Sequence, residues 1–591
     1  MTLHRDAGTL PEALERAAGS EASLGFVDRR ERIERLSWAV CHERTKDTAG
    51  RLQRLGVRAG DRVGLVYPTG PEFLQALLGT LLTGAVPVPL YPPVRLGRLE
   101  EYHDRTAFLL RRVGAELLLV DRRTRRVLGP TVEKAGLGRG CRTLEQLPPG
   151  EYRPRIVDSD ELALVQFSSG TTVEPKPVAL THHQILAQVR ALNSFWPPDG
   201  EHAPSGVSWL PLYHDMGLVG CVFTALDYPG DLTLIPPEFF VARPSVWLRV
   251  LSKTRAVISP APNFAYGLCV DKIRDEELEG VDLSNWRVAL CGAETVVPEV
   301  LRAFTRRFER WGFRRQALSP VYGLSEAALA VTFSDLDRPF VSRVFARRLL
   351  AEEGRAIEQR QPGKPADGVE IAALGRPLPG FSISIRDSDG KEMAGGGVGT
   401  VWARGPSLMS GYLGPSGETV AEFADGWLDT GDRGFVFSGE LYLTGRAKDI
   451  IIVRGRNHSP EEVELALDPL PGVRTGCTAA VGHLEEGAAG ESLWVFVEQS
   501  RGVPAERRGL ATACRRAIFS AAGLEVERVV VLEPGTLPRT SSGKIRRQET
   551  LHRYLAGDLL PPGPVNAVAM LGVMLRSRSA MKRAEKARRD G

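Results

Sequence analysis

Short apolar runs alternate with longer helical patterns through much of the chain. "DRVGLVY" (61–67) is followed by the helical "GPEFLQALLGTLLTG" (70–84) and then by "AVPVPLY" (85–91). "AELLLVD" (115–121), "ELALVQF" (161–167), "LTLIP" (232–236), "AVISPAP" (256–262) and "WRVALCG" (286–292) read as further strands, with helical stretches between most of them. Runs of this length with little polar alternation fit strands buried on both faces, which predicts parallel α/β layers. From about residue 370 the pattern changes. "FSISIRDSDGKEMAGGGVGTVWARG" (381–405) sets an Asp-Gly and a glycine cluster between alternating segments, a β-hairpin signature. After "LYLTGRAKDIIIVRG" (441–455) comes a unit of about 100 residues with its own helices and strands, so a boundary is placed near Lys448.

At 591 residues the chain exceeds one compact core. Its composition, 43% hydrophobic and 25% charged, is that of an ordinary globular protein. A net charge of +4 gives no reason to expect nucleic acid as a partner. The seven cysteines are scattered without CxxC spacing, which predicts reduced thiols in a cytoplasmic setting and no zinc site. Neither a signal-peptide pattern nor a membrane-spanning run is recognised. The tail (557–591) joins an apolar patch, "VNAVAMLGVML", to "RSRSAMKRAEKARRDG", with seven Lys/Arg and two acids. Membrane-surface contact by this basic tail is the less favoured reading; a terminal helix that docks or frays is expected.

Chemistry gathers in five places. "FSSGTTVEPKPVALTHH" follows an apolar run and sets Ser168, Ser169, Gly170, Thr171 and Thr172 together, with Lys176 nearby. Hydroxyls, consecutive backbone N–H groups and an ammonium make an anion-binding concavity, which points to phosphate, although the spacing is not that of a Walker A loop. "VYGLSEAALAVT" puts Tyr322 and Gly323 just before a carboxylate, Glu326. "GWLDTGDRGF" puts Asp432 in a glycine-bounded turn, "LTGRAKDIIIVRGRN" carries Arg446 and Lys448, and "LPRTSSGKIRR" carries Lys544. Each alone has a structural explanation: a core tyrosine, a turn aspartate, a surface lysine.

Taken together these segments resemble the adenylate-forming enzymes (acyl-CoA synthetases, peptide-synthetase adenylation domains, luciferases). Within that superfamily "PVPLYPPVRLGRLEEY", "WLPLYHDMGLVG", "ISPAPNFAYGLC", "YGLSEAALAVTF", "GRNHSPEEVE" and "PRTSSGKIRR" resemble the fatty acyl-AMP ligases, over about residues 10–555. The resemblance implies an α/β fold with a large N-terminal domain of α/β layers, a small β-barrel-like subdomain and a small mobile α+β cap. The expected division is 1–447, 448–556 and a tail 557–591. It also implies roles. Ser168 to Thr172, with Lys176, would grip the phosphates of ATP. Gly292, Ala293 and Glu294 would line an adenine pocket, with Tyr322 and Gly323 at the base. Glu326 would hold Mg²⁺, and Asp432 and Arg446 would take the ribose. Lys544 would bridge the attacking carboxylate and the α-phosphate, His214 would border the acyl pocket, and Lys448 would be the hinge.

Two residues depart from the superfamily pattern: Val173 and Pro177 stand where glycines are usual. Both stiffen the loop, since proline fixes φ and lacks an N–H and valine resists φ > 0. A charge-rich stretch at about 340–374 matches the insertion that fatty acyl-AMP ligases carry, associated with loss of coenzyme A use. The acceptor implied is therefore the phosphopantetheine arm of a separate acyl carrier protein, since no carrier serine motif occurs in the chain. The expected activity is ATP-dependent activation of a medium- or long-chain fatty acid. The rivals are an acyl-CoA synthetase, an amino-acid-activating domain and a catalytically silent nucleotide-binding scaffold.

Overall fold

The computed structural model describes residues 7–93, 96–168, 175–195, 205–359, 367–421, 423–453, 456–485, 491–500, 507–540, 543–563 and 567–590. Nine strands form the largest sheet. From one edge its order is Arg376–Pro377, Ala330–Phe333, Leu318–Gly323, Val288–Cys291, Ile258–Ala261, Gly206–Ser208, Leu232–Leu234, Ser23–Val27 and Ile33–Ser37. Its centre is parallel and only the margins are antiparallel. A second, wholly parallel sheet is ordered Val86–Pro89, Arg62–Val66, Leu117–Val120 and Gly140–Arg142. The apolar runs read as α/β layers therefore lie where strands buried on both faces belong.

One of them does not. "ELALVQF" forms Leu162–Phe167, which pairs antiparallel with Pro177–Thr181 in a four-stranded sheet. Its central residues are fully buried because the strand also packs on Val86–Pro89. Burial on two faces sets the apolar run but not the direction. The connection between these strands is too short for the crossover that a parallel pair needs. Pro177 is the first residue of its strand, a position where the missing N–H breaks no ladder. The following helix, His182–Asn193, is started by a reciprocal cap: Gln184 N–H donates to Thr181 Oγ1, and Thr181 N–H to Gln184 Oε1.

The hairpin texture after residue 370 becomes Ser382–Arg386 paired with Gly399–Arg404, in a five-stranded sheet completed by Phe423–Ala424, Trp427–Phe437 and Glu440–Arg446. The charge-rich segment at 340–374 is a structured part of the fold among its described residues. Ser342–Ala346 pairs with Gly368–Ala372, helix Arg347–Glu352 lies between them, and Phe345 packs with Phe435 and Tyr442. Beyond residue 451 the described strands pair only with one another: Ile451–Val453 with Arg456–His458, and Val473–His483, Ser492–Gln499 and Arg528–Leu532 in a three-stranded sheet.

The tail is a 24-residue helix, Ala567–Asp590, docked along the helix Gly129–Ala135. Ser577, Ala580 and Met581 are buried there. Gly129 N–H donates to Ser577 Oγ at 2.8 Å, and Arg583 pairs with Glu133. A Cβ at Gly129 would sit 1.9 Å from the Ser577 carbonyl, so the helices meet at this distance only because residue 129 is glycine. Gly129→Val should therefore lift the tail helix, and limited trypsin digestion should then cut at Arg576, Arg578 and Lys582 well before it cuts the parent protein there.

Candidate active site

Antiparallel pairing of Trp427–Phe437 with Glu440–Arg446 places Asp432 directly opposite Arg446. The Arg446 guanidinium lies 3.1 Å from one Asp432 oxygen. The other accepts from the Tyr322 hydroxyl at 2.7 Å. Tyr322 stands near the end of the parallel strand Leu318–Gly323, so this buried carboxylate joins two sheets. Burial pushes the phenol well above its ordinary range, which keeps it a donor. Gly323 has no room for a side chain, since a Cβ there would meet the Leu329 carbonyl at 1.8 Å.

Glu326 follows in a short turn. Its carboxylate accepts from the Tyr412 hydroxyl at 3.1 Å, and burial raises its pKa. The Lys176 ammonium lies 4.4 Å above the Tyr412 ring, a cation–π contact. Ser168 N–H donates to the Lys176 carbonyl, and Lys176 N–H to Ser168 Oγ, closing the stem of the expected phosphate loop. Ser169, Gly170, Thr171 and Thr172, the loop's proposed grip, and Val173 lie outside the described residues.

His214 heads a short helix, with Nδ1 at 2.6 Å from Asp215 Oδ1. Asp215 also accepts from Ser325 Oγ at 2.5 Å and from Met216 N–H at 2.7 Å. Burial alone would raise the Asp215 pKa, but the imidazole, the hydroxyl and the amide outweigh it and bring it down to about 2. Asp215 is therefore ionised at any working pH. Within "WLPLYHDMGLVG" the motif points only to the histidine; the part played by the carboxylate beside it follows from the fold, which brings Ser325 to it.

Lys544 comes from beyond residue 451, on a tight hairpin in which Thr540 N–H donates to the Lys544 carbonyl and Lys544 N–H to Thr540 Oγ1. Burial pushes its ammonium pKa down and Arg446 adds to that, against the pull of Asp215, Glu294 and Asp432.

Most of these groups line one cavity of about 510 Å³. Ser168, Lys176, His214, Ala293, Tyr322, Gly323, Glu326, Arg446, Lys448 and Lys544 line it. Gly292, Glu294 and Asp432 do not reach its wall. Gly292 is pressed against Val321, and the Glu294 carboxylate is taken by the Phe264 N–H at 2.5 Å. The cavity continues as a mainly apolar channel lined by Gly220, Cys221, Ala225, Tyr228 and Phe333 and by Gly206, Leu232 and Ile258, the first residues of three parallel strands, with Asn193, Thr224 and Asp231 as its polar members. A π-helical segment, Leu218–Phe223, forms part of that wall. Burial pushes the Cys221 thiol up to about 12, so it is wall and not nucleophile. Sequence reasoning placed none of this channel, because its lining comes from segments far apart in the chain.

The profile of the AMP-binding enzyme family matches residues 13–413. The chain belongs to that family. Its relatives include the long-chain-fatty-acid–AMP ligase FadD23 of Mycobacterium tuberculosis, 32% identical over 88% of this chain and 91% of that protein. Another is the medium-chain-fatty-acid–[acyl-carrier-protein] ligase JamA of Moorena producens, 32% identical over 89% and 91%. A structure from a study of fatty acyl-adenylate ligases from E. coli and L. pneumophila superposes with a TM-score of 0.86 at 33% identity, over 93% of this chain and 98% of that one. The resemblance to fatty acyl-AMP ligases read from the motifs is thus borne out, and this AMP-binding enzyme is an adenylate-forming ligase. Members of the family use ATP. Mg²⁺ is held by one or two carboxylates plus substrate phosphates, without a dedicated protein cage. Glu326 fits that demand: it is a cavity-lining carboxylate, and no three-residue metal cluster occurs among the described residues.

Because Tyr322 is a buried donor to a carboxylate, Tyr322→Phe should cost about 1–3 kcal/mol of stability, measured by urea unfolding. The Asp215 pKa is depressed, so its contribution is present above the ordinary aspartate range and disappears as pH falls toward 2. Asp215→Asn should accordingly flatten the loss of stability between about pH 4 and pH 2.

Proposed function

We propose that this enzyme converts a medium- or long-chain fatty acid and ATP into acyl-adenylate and pyrophosphate, then transfers the acyl group to the phosphopantetheine thiol of a separate acyl carrier protein. One observation carries the reading: a single cavity has nucleotide-type polar groups at one end, an apolar channel at the other, and Lys544 on its wall. A fatty carboxylate is ionised and a poor electrophile, so it must be activated. One of its oxygens attacks the α-phosphorus in line, the bond to the β-phosphate oxygen breaks, and pyrophosphate leaves. Such a reaction needs positioning and charge stabilisation more than a side-chain nucleophile.

In this reading Lys544 bridges the carboxylate and the α-phosphate. Arg446, with Asp432 behind it fixing its guanidinium, takes the ribose, Tyr322 and Ala293 border the base, and Ser168 to Thr172 with Lys176 would grip the departing phosphates. Glu326 would hold Mg²⁺, which supplies neutralisation of phosphate charge when bound. His214, fixed by Asp215, lines the same cavity and would border the acyl chain. Desolvation and the nearby Arg446 lower the Lys544 pKa in the isolated protein, and the negative charge of ATP opposes both.

The acceptor reading rests on the segment at 340–374. Its helix Arg347–Glu352 touches the strand Arg456–His458, and Arg347 pairs with Glu462. The insertion thereby contacts the proposed cap (448–556), whose rotation about Lys448 would admit the thiol. A second reading, acyl-CoA synthetase, is kept because relatives of similar identity carry names of both kinds.

The test is a radiometric assay with labelled laurate or palmitate, ATP and Mg²⁺, with and without coenzyme A. Acyl-adenylate that accumulates regardless of coenzyme A is expected; conversion to acyl-CoA would replace the ligase reading with the synthetase. In the same assay Lys544→Ala should lower adenylation by about 10²–10³. The lowered Lys544 pKa places the alkaline limb of kcat/KM below that of an ordinary lysine, falling as pH rises. Lys544→Arg, whose charge persists, should remove that limb even if the rate is reduced. Ala225→Phe should shift preference toward shorter acids, seen as a rise in KM that grows with chain length.

A further inference from the structure

The docked tail helix, Ala567–Asp590, has a second face. Met570, Val573, Ser577, Ala580, Met581 and Ala584 turn toward the body and are buried or half-buried. On the opposite side, residues 571, 575, 578, 582, 586 and 589 succeed one another in steps of three and four, which keeps them on one face. The first two are Leu571 and Leu575, 60% and 58% exposed, with Met574 beside them at 38%. The rest are Arg578, Lys582, Lys586 and Arg589, all exposed. Three of the neighbouring charges are engaged: Arg583 with Glu133, Glu585 with Arg125, and Arg588 with the Arg139 carbonyl. None of the four outward cations has an ion pair among the described residues. The docked side explains why the helix is there; it does not explain three large aliphatic side chains and four cations turned to solvent.

We propose that this outward face seats the enzyme on an anionic lipid surface. Aliphatic side chains on the first turns followed by a row of Lys and Arg match what a bilayer presents, an acyl region beneath negative headgroups. The helix lies on the surface and does not span it, since no described helix is long and apolar enough to cross a membrane. A protein partner fits less well. The row contains no aromatic anchor and forms a ridge on the body, whereas protein hot spots centre on Trp, Tyr and Arg seated in pockets. Because the opposite face is pinned by Ser577, Arg583 and the close approach at Gly129, the ridge is presented by a rigid body.

The experiment is co-sedimentation of the full-length enzyme with vesicles of phosphatidylcholine alone or mixed with phosphatidylglycerol. Binding to the mixed vesicles only, weakened by added salt, is the expected result. Replacing three cations (Arg578→Gln, Lys582→Gln, Lys586→Gln) should reduce partitioning by on the order of 100-fold. The pair Leu571→Gln and Leu575→Gln should also weaken it, with a salt dependence like that of the parent. None of these residues touches the cavity, so acyl-adenylate formation should be unchanged, which shows that the variants are folded. No binding to mixed vesicles, equal binding to phosphatidylcholine, or unchanged binding by the cation variant would overturn the proposal. So would sedimentation showing that the same face instead pairs two copies of the chain.

Discussion

The buried carboxylate of Asp432 is the contact on which the rest of the site depends. Its two oxygens are taken by Tyr322 from the parallel sheet and by Arg446 from the antiparallel one. A buried carboxylate with one partner removed is costly, whereas with both it fixes the relation between the elements that carry them. Arg446 is the last residue of its strand, and Lys448 and Asp449, two and three residues on, also line the cavity. Whatever orientation the segment after 451 adopts, it departs from a point this ion pair has already located.

Around that contact the cavity collects charge in a setting that disfavours it. Glu326 is pushed up by burial and Lys544 is pushed down, while Asp215 is held low by His214 and Ser325. Groups with opposed shifts facing one cavity are the mark of a site prepared for a charged ligand. The mainly apolar channel continues from the same cavity, so one ligand end meets the charged groups and the other meets mostly apolar side chains, with Asn193, Thr224 and Asp231 among them.

The segment after 451 is held against the large domain at several places away from the cavity. Arg98 donates to the carbonyls of Gly535, Thr536 and Leu560, Arg553 pairs with Glu101, and Arg347 pairs with Glu462. These are polar contacts, each a charged or carbonyl pair and not an apolar seam. The tail helix returns to the large domain after them, so the segment is attached to it at both ends.

Much of the fold was legible in the chain. The apolar runs at 61–67, 115–121, 256–262 and 286–292 became parallel strands because a strand buried on both faces leaves a continuous apolar signature. The Asp-Gly and glycine-cluster turns at 381–405 marked a hairpin because those residues alone reach the required backbone angles. Tyr322, Glu326, Asp432 and Lys544 could be singled out because each sits in a short segment of unusual local composition. Tertiary structure decided the rest. The direction of Leu162–Phe167 depended on the length of a loop, not on its own residues. The partnership of Asp215 with Ser325, the channel from Gly206 to Phe333 and the docking of Ser577 on Gly129 join positions tens to hundreds of residues apart. Local periodicity reports only what a residue's own element buries. Which distant element it meets is set by packing, and packing leaves no pattern in the order of the chain.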